Sequence, residues 1–313
     1  MIGAGMVAAH HKIAWERCAD TDLVAIADPD KARAVQRADE YMKVFANLTD
    51  LLENTSVDAI DIATPVETHA ALVIQAAAAG KAVLCQKPLA PTAQDARDLL
   101  HALPSTARVM LHENWRWRPG YRALQARLAE ASPPTTFDFQ CSSAGLLPAP
   151  DGTYPALQRQ PFLAKLDRLI VFELLGHHLD VLHCMFGDVQ ILAARTERRC
   201  QAVIGEDFAT VEVRAGATRG RLTGSFTKRG ALTRPMDRLS LDGEVVISDM
   251  VLDWRGHRQE WTFDAAYQQS YDACIAHFVN CLQNDAPFAT PAAHGIQLLD
   301  WIAEIYQLAQ ENR

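Results

Sequence analysis

Met1-Ile2-Gly3-Ala4-Gly5-Met6-Val7-Ala8, followed by Leu23-Val24-Ala25-Ile26-Ala27-Asp28, is the stretch on which the reading of this chain turns. Gly3, Gly5 and Ala8 match the G-x-G-x-x-G/A turn through which a backbone closes on a dinucleotide pyrophosphate. The first glycine makes the tight turn. The second keeps the phosphate path free of a side chain, and the small third residue lets helix and strand approach closely. Met6 and Val7 lie in the same turn, where helix N-terminal N–H groups face an anion. Such a turn follows a buried parallel strand, yet only Met1 and Ile2 stand before Gly3. The expectation is a native chain longer by about four or five residues, since strands usually run to about five or six. An apolar extension there is expected to raise stability and dinucleotide affinity.

Leu23–Ala27 is a short apolar run that reads as a second buried parallel strand ending in Asp28. Asp28 stands 20 residues after Ala8, the separation at which a carboxylate reaches the adenosine ribose. A carboxylate there accepts hydrogen bonds from both ribose hydroxyls and repels a 2′-phosphate, which favours NAD over NADP. A second reading makes Asp28 and Pro29 the cap of a helix starting near Asp30.

The length of 313 residues suggests about two domains, and 49% hydrophobic residues are enough for ordinary cores. The net charge of −8 comes from mixed charges without long blocks, which argues against a nucleic-acid surface. No apolar run approaches the ~20 residues of a membrane span, and no basic-then-apolar leader is visible. The seven cysteines are scattered, odd in number and never C-x-x-C, as expected of reduced thiols in a cytoplasmic protein.

The first third alternates strand and helix. Helices are expected near 30–42, 48–54, 67–79 and 92–102, with strands at Val44-Phe45, 58–63, 82–85 and 108–111. This βαβ pattern implies a doubly wound parallel sheet of order 3-2-1-4-5-6, with ligands outside the carboxyl ends of its strands. After about residue 118 the pattern changes. A helix near 119–130 leads to a strand at 135–141, a long loop at 143–168 and a helix near 170–186. Strands follow around 189–199, 207–214, 219–227, 237–242, 244–249 and 259–263, with closing helices near 267–284 and 291–311. The fold class expected is α/β, a Rossmann domain over 1–118 joined to an α+β domain over 119–313 built on a large, mostly antiparallel sheet. A sheet with helices on one face needs cover on the other, so self-association into a homodimer or homotetramer is expected there.

Four further pieces stand in order at the predicted strand ends and on the helix near 170–186: Ala63-Thr64-Pro65 with His69, Gln86-Lys87-Pro88, Glu113-Asn114-Trp115-Arg116, and Glu173-x-x-x-His177-x-x-Asp180. With the glycine turn they resemble, over nearly the whole chain, the glucose–fructose oxidoreductase / inositol dehydrogenase (Gfo/Idh/MocA) family. The resemblance implies an NAD-dependent oxidoreductase acting on a sugar, polyol or related hydroxy compound. Lys87 resembles the active-site lysine of the family's E-K-P motif, often preceding a cis peptide, where an ammonium stabilises developing alkoxide character. The family's Glu is Gln86 here, which removes a charge beside the lysine. The resemblance places Ala63, Thr64, Pro65, His69, Gln86 and Asn114 around the cofactor.

Glu173, His177 and Asp180, at i, i+4 and i+7, share a helix face. His177 matches the family's catalytic histidine. A neutral imidazole is a suitable base, and the carboxylate of Glu173, where the family commonly has Asp, fixes its tautomer. The expected mechanism holds a substrate hydroxyl between Lys87 and His177. His177 takes the proton as hydride passes to the nicotinamide. His178 points about 100° around the helix, either to substrate or into a structural role. Arg116 and Trp117, flanked by Trp115 and Arg118, form either a sugar-binding wall or a packing cluster. Arg159, Gln160 and Phe162 lie in the long loop as further candidate substrate contacts. His10 and His11 are assigned a surface or packing role. His177, His178, His183 and Cys184 do not share a face, so no metal is expected. Two alternatives use the same scaffold: an epimerase or eliminating enzyme with transient NAD chemistry, and a non-catalytic NAD-sensing regulator.

Overall fold

The computed structural model describes residues 1–311 of the chain. It contains two compact units, Met1–Trp117 with Tyr267–Leu299, and Arg118–Ala266 with the residues from Asp300 onward.

The first unit opens with the glycine turn and helix α1 (Ala8–Arg17). β1 (Ala25–Ala27), α2 (Lys31–Arg37), β2 (Lys43–Phe45), α3 (Leu48–Asn54) and β3 (Ala59–Ile62) follow. Then come α4 (His69–Ala78), β4 (Ala82–Gln86), α5 (Ala93–Ala102) and β5 (Val109–His112). Helix starts are written locally. Asp30, Asn47 and Thr92 each accept a hydrogen bond from the backbone N–H three residues on, which satisfies a donor the helix leaves open. All pairings are parallel, β1 with β2 and β3 with β4 with β5. Ile2 bridges Ala27 on one side and Ile62 on the other. Ile2 N–H donates to Asp61 O at 2.7 Å, and Ala63 N–H to Ile2 O at 2.8 Å. The first strand thus lies at the sheet centre, reduced to two buried residues, in the order β2-β1-Ile2-β3-β4-β5.

The sequence division at 118/119 differs from these units, because Tyr267–Leu299 belongs with the first. Tyr271, Cys274, Ile275, Phe278 and Val279 recur at helical spacing and bury against Ala14, Trp15, Leu84 and Met110. A periodic pattern states that a helix has an apolar face but not which core that face covers. Helix α2 also ends earlier than expected, at Arg37, where Ala38 turns to an extended conformation.

The second unit starts with α6 (Pro119–Leu128) and β6 (Thr136–Ser142). The loop after β6 holds the short helix α7 (Pro155–Arg159). A π-helical turn (Val171–Leu175) runs into α8 (Gly176–Phe186). β7 (Val189–Glu197), β8 (Phe208–Ala215), β9 (Thr218–Ser225), β10 (Met236–Leu241), β11 (Glu244–Ser248), β12 (Val251–Trp254) and β13 (His257–Glu260) complete an eight-stranded sheet of order β13-β12-β11-β10-β6-β9-β8-β7. All neighbours are antiparallel except β6 and β9. The expected strand at 259–263 is instead a hairpin of β12 and β13. It closes at Arg255-Gly256, both with positive φ, and only Leu252 of β12 is buried, so alternation is too faint to read there. Helices α9 (Phe263–Gln283) and α10 (Ala292–Glu311) end the described chain.

The π-turn and the residue before it lie close on β9. A Cβ at Gly224 would come within 2.9 Å of Leu175 Cδ2 and 3.0 Å of Ile170 Cδ1, so a side chain there would push these two chain ends aside. Along the sheet, buried residues such as Phe137, Phe139 and Cys141 alternate with Asp138 and Gln140 on β6. The second face carries charge, including an Arg221–Glu212 pair at 2.7 Å. Among the described residues no helix is long and apolar enough to cross a membrane.

Candidate active site

The glycine turn meets the geometric demands of pyrophosphate binding. Gly3 has φ +96°, and a Cβ there would lie 2.3 Å from Ala63 O. Gly5 faces open space, with no atom within 4 Å of where its Cβ would be. Helix α1 has no side-chain cap and no acidic residue in its first turn, so the positive end of its dipole is not neutralised by its own side chains. Met6 is exposed beside it and Val7 is half-buried.

Asp28 closes β1 and is buried. Its Oδ2 accepts from Ala4 N–H and its Oδ1 from Asp30 N–H, both at 2.8 Å. The carboxylate therefore braces the glycine turn. The helix cap belongs to Asp30, whose side chain accepts from Arg33 N–H, so the capping alternative for Asp28 gives way. Arg33 Nη1 lies 3.9 Å from Asp28.

The ends of β3 and β4 are tied together by His69. Its Nδ1 is 2.8 Å from Pro88 O and its Nε2 is 2.9 Å from Thr64 O. His69 is buried, and burial pushes its pKa down against the pull of the two carbonyls. It thus joins the loops that carry Thr64-Pro65 and Lys87-Pro88. The Lys87–Pro88 peptide is cis, and Lys87 is half-buried. Beneath it, Gln86 Oε1 accepts from Lys87 N–H at 2.7 Å, and Gln86 Nε2 lies 3.1 Å from His11 Nε2. His11 Nδ1 reaches Asp61 Oδ2 at 2.9 Å, and Trp15 Nε1 donates to the same oxygen at 2.6 Å. Burial alone pushes the Asp61 carboxyl up, but His11 and Trp15 outweigh it and hold the group below the usual carboxylate range.

Asn114 is buried and donates to Ser270 Oγ at 2.8 Å. The Arg116 guanidinium is buried against Ala289 O and His294 Nε2, each at 3.3 Å, and the Trp117 ring lies against His277, tilted by 35°, with ring centroids 4.8 Å apart. Of the two sequence readings for this pair, the packing cluster is the one these contacts describe.

In the second unit Glu173 lies in the π-turn and His177 in the first turn of α8. π-turns are rare and concentrate at functional sites, and no sequence pattern announced this one. The segment is anchored by Glu206, whose Oε1 accepts from Leu169 N–H at 3.1 Å, Val171 N–H at 3.2 Å and the Tyr306 hydroxyl at 2.6 Å. Glu173 is half-buried, and His177 and Asp180 are buried. Of the two sequence readings for His178, substrate contact or a structural role, its contacts describe the structural one. Its ring is fully buried, with Nδ1 3.1 Å from Leu174 O and Nε2 2.9 Å from Asp237 Oδ1. The 100° rotation that separates it from His177 turns it into the core. Asp237 also receives the Tyr121 hydroxyl and Arg118 Nη1 at 3.3 Å. Burial pushes this carboxyl up, but His178, Arg118 and Tyr121 together hold it well below the usual range. Cys141, His178 and Asp237 bring ligand-type atoms within 4.8 Å of one another. Asp237 there already serves three donors, and burial and Asp237 push the Cys141 thiol well up. Arg159 is exposed and donates to Thr233 O, and Phe162 is about half exposed.

Residues 1–114 match the family model described as an oxidoreductase family with an NAD-binding Rossmann fold, Gfo/Idh/MocA. The chain is 30% identical to D-apiose dehydrogenase of Paraburkholderia graminis, an alignment covering 100% of this chain and 88% of that protein. The chain belongs to the Gfo/Idh/MocA oxidoreductase family. Other Gfo/Idh/MocA relatives include inositol 2-dehydrogenase of Rhizobium meliloti, 34% identical over 40% of this chain and 38% of that one. An oxidoreductase from Agrobacterium radiobacter, solved with NAD+, L-tartaric acid and magnesium, superposes with a TM-score of 0.88. It is 25% identical, with 100% of this chain and 96% of that one covered. As a Gfo/Idh/MocA member the chain is an NAD-binding dehydrogenase with a Rossmann unit and a large mostly antiparallel sheet. The residues at the strand ends fit that cofactor: an open Gly5, an uncapped helix start and a braced Asp28.

His11, Asp61 and Asp237 were missed as site-supporting residues. Of the surface or packing role read for His11, the fully buried ring fits packing. One signal was available: Asp61 is a charge inside the apolar run Ala59-Ile60-Asp61-Ile62 of a parallel strand, where burial demands a partner. Asp237 and His178 gave none, because their pairing is set by the fold across 59 residues of sequence.

Proposed function

We propose that this chain is an NAD-dependent dehydrogenase that oxidises a secondary or lactol hydroxyl of a sugar or polyol, with a branched or short sugar such as D-apiose as the first candidate. The observation that carries the reading is Lys87. Its backbone is held by Gln86, the following Pro88 carbonyl is held by His69, and it stands at a strand end in line with Asp28 and Thr64. Bound NAD supplies the hydride acceptor. The Asp28 carboxylate orients the ribose hydroxyls and disfavours a 2′-phosphate. The Lys87 ammonium donates a hydrogen bond to the reacting oxygen and stabilises its developing negative charge. His177 accepts the hydroxyl proton, with Glu173 fixing its ring. Thr64, Asn114 and their neighbours line the cofactor. Arg116 and Trp117 hold their segment in place. A cytoplasmic homo-oligomer, associating through the second-unit sheet, completes the reading.

The test is a screen of aldoses, apiose, inositols and sugar acids with NAD and NADP in parallel, following NADH absorbance. NADH formation with at least one sugar or polyol, faster with NAD, is expected. Product formation without net NADH would replace this reading with transient oxidation.

A further inference from the structure

We propose that Asp61 and His11 are positioning residues for Lys87. Asp61 fixes the His11 tautomer, and that tautomer selects an amide rather than a carboxylate at position 86. The inference rests on the reading of Lys87 as the lysine that contacts the reacting oxygen.

The hydrogen-bond directions leave one solution. Asp61 is an acceptor facing His11 Nδ1 at 2.9 Å, so Nδ1 carries the ring proton. Nε2 then presents a lone pair. At the other end, Lys87 N–H is a donor and fixes the near atom of the Gln86 side chain as its oxygen, 2.7 Å away. The Gln86 NH2 is thereby turned to His11 Nε2 at 3.1 Å, donor to lone pair. Each member determines the next, from the Asp61 carboxylate to the backbone of Lys87. The ring is fully buried, so water cannot substitute for a missing partner. The groups facing it are Asp61 from β3, Gln86 from β4, His112 from β5 with ring centroids 4.3 Å apart, and Tyr271 from α9 at 5.3 Å.

A carboxylate at position 86 does not fit this arrangement. One oxygen would accept from Lys87 N–H, and the other would face the Nε2 lone pair. The conflict ends only if His11 takes a second proton between two carboxylates, or if the carboxylate at position 61 is removed. Exchanging the two groups restores every bond. When Asp61→Asn is combined with Gln86→Glu, the new amide at position 61 donates to Nδ1 and accepts from Trp15, while Nε2–H donates to the new carboxylate at position 86.

The experiment compares wild type with Gln86→Glu, Asp61→Asn and the double variant. It measures kcat against pH, NAD affinity, and the ring 15N chemical shifts of His11, assigned with His11→Asn. Gln86→Glu should lose about tenfold or more in kcat toward high pH, where the second proton leaves. The double variant should recover most of that loss, with the His11 proton moved from Nδ1 to Nε2 in the spectrum. Additive losses with an unmoved His11 tautomer would overturn the proposal. A tautomer that moves while kcat stays constant in all variants would keep the network and instead contradict the role of Lys87.

Discussion

Two buried carboxylates, one in each unit, hold up the two candidate catalytic segments by different means. Asp61 meets His11 and Trp15 and passes a direction through neutral side chains to Lys87. Asp237 meets His178, Arg118 and Tyr121 and pins the helix that carries His177. The first arrangement is a relay in which the position of protons matters. The second is an anchor in which the balance of charge matters. A relay is therefore sensitive to an amide–carboxylate exchange, whereas an anchor is sensitive to losing the charge of its carboxylate.

That contrast is broken or sharpened by substitution. Asp237→Ala removes the buried carboxylate that Arg118, Tyr121 and His178 share, and should cost about 3–5 kcal/mol of stability, read from the denaturant midpoint. Gly3→Ala forces a side chain into a left-handed backbone position 2.3 Å from Ala63 O. It should cost about 1–3 kcal/mol and weaken NAD binding, measured by calorimetry. Asp28→Ala removes the brace of the turn and the ribose contact. A loss of about tenfold in NAD affinity is expected, consistent with one charge-assisted hydrogen bond, with a smaller loss for NADP.

The pH dependence separates the two carboxylates in the same way. Both are held below their unfolded values of about 3.9, so each adds stability above that pH and loses it as pH falls through its folded value. Asp237→Asn should flatten the acid limb of the stability curve more than Asp61→Asn. An equal effect would erase the distinction between anchor and relay.

The Rossmann half was legible because its information is local. Gly3-Ala4-Gly5, the run ending in Asp28 and the strand-end Lys87 each carry their meaning within a few residues. The eight-stranded sheet was legible as alternation on β6 and β8, where one face is buried. It failed at β12, where only Leu252 is buried. The destination of Tyr271 and Phe278, the π-turn beneath Glu173 and the pairing of His178 with Asp237 are products of tertiary packing. No local pattern encodes them. Asp61 stands between these cases, a local oddity whose partner only the fold supplies.

The most direct test of the account is Lys87→Met, which keeps an unbranched side chain one atom shorter and removes the ammonium. Turnover should fall by about 10²–10³, as when a donor to a developing oxyanion is lost, while NAD affinity changes less than about threefold. Unchanged turnover, or a matching loss of NAD affinity, would contradict the assignment of Lys87 to the reacting oxygen.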